Sequence, residues 1–255
     1  MTEWNAEAYA RVSALQKWLA EKSLAGLTLR GDERVLDLGC GDGKISAEIA
    51  TQLPRGSVLG VDASHDMIDF AARTFPSAAC PNLTFRVADA AQLAFVDAFD
   101  LVVSFNCLHW VRDQAGALRS IRAALAPQGR THLRFVARGA RRALEDVIEE
   151  TRGAPEWAVY FRDYRTPYVH CTADEYRALA AASGLRVDSL DVQQEAWDFQ
   201  SRVAFARFAE ATFVEWTRCL PADRRTEFIT DVLDRYDPQG SVFTFYQMEA
   251  VLRRE

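Results

Sequence analysis

The sequence has no long hydrophobic run, no closely paired cysteines and no cluster of metal-binding side chains. No apolar stretch approaches the roughly 20 residues that a membrane-spanning helix needs. Residues Met1–Trp4 lack the basic and apolar segments of a secretory signal. The five cysteines are scattered without a C-x-x-C pair, so we expect reduced thiols and a cytoplasmic protein. The four histidines are isolated in sequence, and we expect no metal site.

Positive charge is also in deficit. The chain has 36 acidic and 30 basic residues, which gives a net charge of −6. A protein that binds nucleic acid presents a basic face, so we expect neither a nucleic-acid nor a membrane partner. Apolar residues make up 49% and charged residues 26% of the 255 residues, a balance typical of one globular domain. The oligomeric state is not indicated.

The most informative stretch is Val35–Lys44, with the sequence VLDLGCGDGK. It predicts a short buried strand, then a glycine-rich turn, then a helix that begins at about Lys44. Glycine has no Cβ and tolerates positive φ, so the backbone can turn sharply and a ligand can approach it closely. The unpaired N–H groups of a helix N-terminus follow at the same place.

Strands and helices alternate after this turn. Near-continuous apolar strands joined by helices indicate a mostly parallel sheet covered on both faces. We therefore expect an α/β fold with a doubly wound, Rossmann-like sheet. The predicted strands cover 35–38, 57–61, 83–87, 99–105, 130–136, 185–192 and 242–246.

Acidic residues follow the second and third predicted strands. Such sheets bind ligands outside the carboxyl ends of their strands. Asp62 lies where an acidic residue can accept hydrogen bonds from a ribose diol, and Asp89-Ala90 can meet an adenine edge. The turn has the spacing G-x-G-x-G and follows Asp37, which would repel a pyrophosphate. The pattern favours a nucleoside with a cationic amino-acid end over a dinucleotide.

These motifs resemble those of class I methyltransferases over residues 34–136. The resemblance implies S-adenosyl-L-methionine as cofactor and a seven-stranded sheet with an antiparallel last strand. Asp37 and Gly39 would face the methionyl part, Asp62 the ribose, Met67 and Asp89-Ala90 the adenine, and the backbone near Phe105 the amino group. The complete predicted cofactor site is Asp37, Gly39, Gly41, Gly43, Asp62, Ala63, Met67, Asp89, Ala90 and Phe105.

Two groups of residues narrow the resemblance. They are Trp4, Tyr9 and Ser13 near the N-terminus and Leu108–Val111 after the fourth strand. They are similar to trans-aconitate and juvenile-hormone acid methyltransferases, which methylate free carboxylates. By that likeness Gln16 and Trp110 would orient a substrate carboxylate, and His109 would act as a third donor or as a base. The trans-aconitate pattern leads us to expect Arg where Gln16 stands. We therefore expect a small apolar monocarboxylic acid and methyl ester formation.

The rest of the chain is expected to cover this site. We interpret it as a single domain, 1–255, with residues 1–30 as a helix over the site and 34–136 as the cofactor-binding core. Residues 139–170 and 200–238 are lid insertions rich in aromatic side chains. The predicted substrate contacts are Tyr9, Tyr160, Phe161, Trp197 and Trp216.

Three alternatives stay open at this stage. One is O- or N-methylation of a hydroxyl or amine of a small metabolite, with His109 as base. Another is methylation of an acid bound to a carrier protein, for which Arg138, Arg141 and Arg142 offer a docking patch. The last is a cofactor-binding protein without catalytic activity.

Overall fold

A seven-stranded sheet forms the centre of the protein, which is described here from a computed structural model that covers residues 13–255. For Ser13, Ala14, Gln16 and Lys17 only the backbone is described. The strand order is β3-β2-β1-β4-β5-β7-β6. The strands are β1 Arg34–Leu38, β2 Ser57–Asp62, β3 Leu83–Val87, β4 Phe99–Phe105, β5 Leu125–Val136, β6 Leu185–Asp198 and β7 Val242–Arg254.

Strands β1 to β5 are mutually parallel, and β7 runs antiparallel to both of its neighbours, β5 and β6. This confirms the expected doubly wound α/β fold with an antiparallel last strand. The chain moves outward from β1 to β3 and returns to the other side of β1 at β4. The carboxyl ends of β1 and β4 therefore flank the crevice where such sheets bind ligands.

Three strands are longer than the sequence pattern predicted. Strand β5 begins at Leu125 instead of residue 130, because Leu125 already pairs with Phe99 of β4. The register then shifts, so that the next pair is Arg130 with Leu101. Strands β6 and β7 continue to Asp198 and Arg254. They form a long antiparallel ribbon in which Trp197 pairs with Phe243 and Glu195 with Phe245. Polar residues interrupt the apolar alternation there, so the pattern alone did not reveal these extensions.

Helices cover both faces of the sheet and build a separate layer above its carboxyl edge. Within residues 13–255, no helix is long and apolar enough to cross a membrane. The helices are α1 Ser13–Ala25, α2 Lys44–Thr51, α3 His65–Thr74, α4 Gln114–Ala124, α5 Leu144–Arg152, α6 Pro155–Ala158, α7 Ala173–Ala182, α8 Arg202–Thr212, α9 Val214–Thr217 and α10 Arg225–Tyr236.

The buried apolar side chains form three clusters. One lies between the sheet and α4 and α7, with Ile121 and Tyr176 at its centre. A second lies on the opposite face, where Ile49 of α2 and Leu53, just after that helix, pack on β1 and β4. The third is built mainly by α5, α6 and α8 to α10 with the start of β7, and it includes Trp157 and Phe228. We call this third cluster the lid, because residues such as Leu144, Phe208 and Trp216 line the cavity described below.

Helix α1 is attached to β6, which is an edge strand of the sheet. The ammonium group of Lys22 lies 2.6 Å from a carboxylate oxygen of Glu195 on β6. The same carboxylate also accepts a hydrogen bond from Arg134 at 3.1 Å. The Trp18 and Trp197 rings meet beside this ion pair, with centroids 5.6 Å apart. Because Glu195 and Arg134 are both buried, this contact fixes α1 against the sheet.

Candidate functional site

The glycine turn after β1 has a conformation that requires glycine. Gly39 has φ +78°, and a Cβ placed on it would lie 2.1 Å from Cys107 Sγ. The turn and the end of β4 are therefore in direct contact. Gly41 has φ +53°, and a Cβ placed there would meet no atom within 4 Å. Open space consequently reaches the backbone of the turn at Gly41, where a ligand can lie against it.

Asp62, at the end of β2, holds this turn in place. One of its carboxylate oxygens accepts the backbone N–H of Gly41 at 3.0 Å. The other accepts the N–H of Ser64 at 2.9 Å. Ser64 in turn caps α3 by accepting the N–H of Met67 at 3.3 Å. One carboxylate thus fixes both the glycine turn and the start of α3, and it lies on the wall of a cavity.

Asp37 lies beneath the turn and is only 2% exposed. Its carboxylate accepts a short hydrogen bond, 2.5 Å, from the hydroxyl of Ser46 in the first turn of α2. Burial raises the pKa of Asp37 from 3.8 to about 7, although the Ser46 hydrogen bond opposes the shift and the charge of Asp62 adds to it. A positive charge bound nearby would stabilise the ionised carboxylate.

The end of β3 contributes a second carboxylate. Asp89 accepts the N–H of Ala91 at 2.9 Å and so begins a short 3₁₀ turn. Ala90 and Met67 are both buried, at 8% and 4% exposure, and both lie on the same cavity wall. An apolar surface between two strand-end carboxylates suits the flat face of a nucleobase.

The loop after β4 is held rigidly. Asn106 has φ +55° and its N–H donates to the carbonyl of Arg134 at 2.7 Å. The side-chain amide of Gln114 donates to the carbonyls of Leu108 and Val111, each at 2.6 Å. These hydrogen bonds fix the 3₁₀ turn Leu108–Trp110, which carries the predicted catalytic pair.

His109 in this turn is buried, at 4% exposure. Its Nδ1 has no hydrogen-bond partner within residues 13–255. Burial, helped by the neighbouring His170, holds the pKa of His109 well below 6.5. The imidazole is therefore neutral at physiological pH and a weak base. Its ring packs against that of Trp110, with centroids 5.2 Å apart.

All of these strand ends open into one large cavity of about 1750 Å³. Its first part lies along the glycine turn, Asp62, Asp89 and Phe105. It continues past His109 and Trp110 into a chamber beneath the lid. The size is sufficient for a nucleoside cofactor and a second small molecule side by side.

The comparisons with known proteins agree with this geometry. A family model described as a methyltransferase domain matches residues 35–129. Trans-aconitate 2-methyltransferase of Methylobacterium radiotolerans is 35% identical over 129 residues, which are 51% of this chain and 48% of that protein. Juvenile hormone acid O-methyltransferase of Bombyx mori is 30% identical over 175 residues, which are 64% and 62% of the two chains.

A solved structure shows the same fold over nearly the whole chain. The YcgJ protein of Bacillus subtilis superposes with a TM-score of 0.67 at 19% identity, covering 94% of this chain and 99% of that one. The chain contains a methyltransferase domain and has the fold of class I methyltransferases. The resemblance to class I methyltransferases that the sequence motifs indicated is thereby confirmed. The trans-aconitate match spans about half the length of that relative.

The cofactor of this methyltransferase is S-adenosyl-L-methionine, and the residues present fit it. The cavity reaches the bare backbone of Gly41, as a ligand lying against the turn requires. The carboxylate of Asp62 is close enough to that of Asp37 for its charge to raise the pKa of Asp37. They provide negative charge beside that surface, which suits a cationic nucleoside without phosphate groups.

The structure brings most of the predicted cofactor residues to this wall. They are Gly39, Gly41, Asp62, Ala63, Met67, Asp89, Ala90 and Phe105. Asp37 and Gly43 lie behind the wall. Gly43 packs against the ring of Phe85, where a Cβ would approach to 2.7 Å. Both support the turn from below, and their contact with the cofactor stays a prediction.

Only some of the residues predicted to contact the acceptor line the chamber. His109, Trp110, Tyr160 and Trp216 lie on the chamber wall. Phe161 does not line the chamber, because it is 4% exposed and packs between Tyr164 and Phe228.

Trp197 is likewise absent from the chamber wall. Its ring lies on Trp18 and holds α1. The structure therefore gives no support to substrate contact by Phe161 or Trp197. Tyr9 and the side chain of Gln16 lie outside the described residues, so the roles predicted for them stay predictions.

Several wall residues were missing from the sequence-based prediction. The lid contributes more of the chamber than its tryptophans alone, and β7 supplies two phenylalanines. Apart from Glu145, their apolar or aromatic pattern is the same as that of core residues, so only the tertiary arrangement distinguishes them. They are Leu144, Glu145, Ile148, Tyr164, Phe208, Phe213, Phe243 and Phe245.

The two buried lid tryptophans are fixed by carboxylates. The indole N–H of Trp216 donates to Glu149 at 2.8 Å. That of Trp157 donates to Asp231 at 2.8 Å. Glu149 also accepts hydrogen bonds from Arg152 and Thr166. Trp216 therefore presents its ring to the chamber, while its polar atom is used within the lid.

Arginine side chains line the mouth of the chamber. Arg112, Arg162 and Arg165 are exposed and lie on its wall. Within residues 13–255 none of the three has an ion-pair partner. Asp113 and Asp163 lie beside them on the same wall. In a protein of net charge −6, this local concentration of guanidinium groups favours the approach of an anion.

Proposed function

We propose that this methyltransferase converts a small, largely apolar carboxylic acid into its methyl ester. The observation that carries the proposal is the burial of His109 on the chamber wall, which lowers its pKa and makes the imidazole a weak base. A carboxylate with a reference pKa of about 4 is already ionised at neutral pH. It needs no base, whereas a hydroxyl acceptor does.

The rest of the chamber supports this acceptor. Its walls are mostly aromatic and aliphatic, which favours an apolar body. The arginines at the mouth attract a negative charge. Two families of carboxyl methyltransferase are among the relatives. Together these features favour an acid with one charged end and an apolar remainder.

One part of the cavity would bind the cofactor, and the other would bind the acceptor. When bound, S-adenosyl-L-methionine supplies a methyl group on a sulfonium centre that carboxylate oxygen can attack. We propose that Asp62 accepts the ribose hydroxyls, that Asp89, Ala90 and Met67 hold the adenine, and that the turn at Gly39–Gly41 contacts the methionyl part.

Trp110 and Gln16 would hold the acceptor carboxylate as uncharged hydrogen-bond donors. Uncharged donors orient the oxygen atoms without forming the ion pair that would reduce their nucleophilicity. The lid excludes water, which would otherwise solvate the carboxylate. The chain thus provides positioning and desolvation, which are what an in-line methyl transfer from a sulfonium to a carboxylate requires.

The experiment is a screen of medium-sized carboxylic acids with methyl-labelled cofactor, in which base-labile methyl esters are counted. We expect ester formation that rises little between pH 6 and 8, because the acid is ionised throughout. Turnover that follows a single ionisation in this range, with base-stable product, would refute carboxyl methylation.

Matched tryptophan variants test the carboxylate contact. Trp110→Phe removes the indole N–H while keeping an aromatic ring, and we expect turnover to fall at least tenfold with cofactor affinity unchanged. Trp197→Phe is the control, because that side chain lies away from the chamber. Equal turnover in the two variants would show that Trp110 does not orient the acceptor.

The carrier-protein alternative gains no support from the structure. Arg138 pairs with Glu175 at 3.2 Å, and Arg142 pairs with Glu150 at 2.8 Å. These arginines are therefore already neutralised on the surface. A free small molecule in the chamber accounts better for the observed cavity.

A further inference from the structure

The chamber wall contains one carboxylate that the proposed reaction does not use. Glu145 lies in the first turn of α5, and its neighbours Leu144 and Ile148 line the same wall. The phenylalanines of β7, Phe243 and Phe245, line the same cavity and belong to the same apolar cluster as Leu144 and Ile148. Glu145 is therefore a polar group set in an otherwise apolar part of the chamber.

Its situation differs from that of the other acids on the same helix. Asp146 accepts the N–H of Ala143 at 2.9 Å, Glu149 holds Trp216 and Arg152, and Glu150 pairs with Arg142. Glu145 has no ion pair or hydrogen bond to another side chain within residues 13–255. It alone among the four lies on the chamber wall.

A carboxylate in such a place is costly unless a partner compensates it. Burial, assisted by the charge of Asp146, raises the pKa of Glu145 from 4.5 to about 7. Desolvated charges in proteins are normally paired or hydrogen-bonded. Apart from the backbone N–H of Glu145 itself, the described protein offers no such partner. Because Glu145 lines the cavity, a bound molecule can supply the missing donor.

We propose that Glu145 selects acceptor acids that carry a hydrogen-bond donor, a hydroxyl or an amine, at the end remote from their carboxyl group. This rests on the proposed function, since it describes the other end of the same acceptor. A hydroxyl or ammonium group there donates to Glu145. The carboxyl group, which Glu145 would repel, is directed away from it and toward Trp110.

The test uses straight-chain acids of equal length that end in a methyl, a hydroxyl or an amine group. Their binding to the full-length protein is measured by calorimetry at pH 8 with S-adenosylhomocysteine present, so that no turnover is needed. We expect the wild type to bind at least one donor-bearing acid about tenfold or more tightly than the methyl-terminated acid.

Two variants distinguish the donor groups. Glu145→Met removes every acceptor atom, so we expect it to abolish the preference for both donor-bearing acids. Glu145→Gln keeps a carbonyl oxygen without charge, so it should retain a preference for the hydroxyl and lose one for the amine. Glu150→Met, which alters a surface-paired acid of the same helix, is the matched control and should leave all preferences intact.

Equal binding of the three acids by the wild type would overturn the inference. So would an unchanged preference in a folded Glu145→Met variant, with folding verified by its thermal unfolding. Ester formation is measured separately with the same acids. Selective binding without ester would refute carboxyl methylation and leave the role of Glu145 intact. Ester formation without selective binding would support carboxyl methylation and refute the role of Glu145.

Discussion

Replacement of Asp37 by Asn should make the protein more stable and more strongly so at higher pH. In the folded chain the pKa of Asp37 is raised from 3.8 to about 7 by burial. Between these values the folded state holds a proton that the unfolded state has released. The wild type therefore loses stability as the pH rises from about 4 to about 7. Asn cannot ionise, and its carbonyl can still accept the Ser46 hydrogen bond.

The magnitude follows from the size of the shift. One pKa unit corresponds to about 1.4 kcal/mol, so the ionisation of Asp37 costs up to about 4 kcal/mol above pH 7. Part of that cost is already present at pH 5. The free energy of unfolding of Asp37→Asn minus that of the wild type should thus increase by roughly 3 kcal/mol between pH 5 and pH 8.

Urea unfolding of both proteins at the two pH values measures this difference. The other titrating groups are the same in both proteins and cancel. Asp100→Asn is the control, because Arg34 holds the pKa of Asp100 below its ordinary value. Its difference from the wild type should be constant from pH 5 to pH 8. A constant difference for Asp37→Asn as well would refute the reasoning from burial.

The same change should impair cofactor binding. A cationic ligand stabilises the ionised form of Asp37, so binding to the wild type near pH 6 should release a proton. Calorimetry in buffers of different ionisation enthalpy detects that release. Asp37→Asn should bind more weakly and release no proton at this site. The ionised carboxylate of Asp37 would then destabilise the folded protein but strengthen cofactor binding.

Three further predictions follow from other contacts. Gly39→Ala should destabilise the protein by about 3 kcal/mol in thermal unfolding, and Cys107→Ala should not rescue it, because the Cβ of Cys107 would still lie 2.3 Å from the new methyl group. His170→Phe should remove a stability loss of about 3 kcal/mol that the wild type shows as the pH falls from 6.5 to about 4; an unchanged pH profile would contradict it. Replacing Arg162 and Arg165 together by Gln should lower kcat/KM for acids and weaken its dependence on salt, whereas an unchanged salt dependence would exclude steering at the mouth.

The core of the fold was predictable because local sequence and tertiary position agree there. The strand that contains Asp37 is short and apolar and ends in a turn that only glycines can form. The chemistry of Asp62 and Asp89 follows from their place at strand ends. Local pattern and parallel topology together were enough to predict that these residues meet.

The acceptor chamber could not be predicted in the same way. Tyr160 and Phe161 are adjacent aromatic residues, yet one lines the chamber and the other packs inside the lid. Trp197 is a large aromatic residue of the kind that often contacts a substrate, but here its ring packs on Trp18 and holds α1. Nothing in the local sequence separates these cases, because each depends on which neighbour occupies the opposite side of the ring.

Glu145 was missed for a related reason. In sequence it is one of several acids on an amphipathic helix, which is the usual pattern of a solvated face. Its special position appears only when the partners of Asp146, Glu149 and Glu150 are known. A group that lacks a partner is defined by its surroundings, and sequence periodicity does not report them.

The ion pair between Lys22 and Glu195 has a consequence for biosynthesis. The two residues are separated by 173 positions, so α1 leaves the ribosome long before its anchor on β6 exists. Leu15 and Leu19 of α1 form part of the chamber wall. The nascent chain can therefore assemble the nucleoside half of the cavity from β1 to β4, while the acceptor half is completed only near the end of translation.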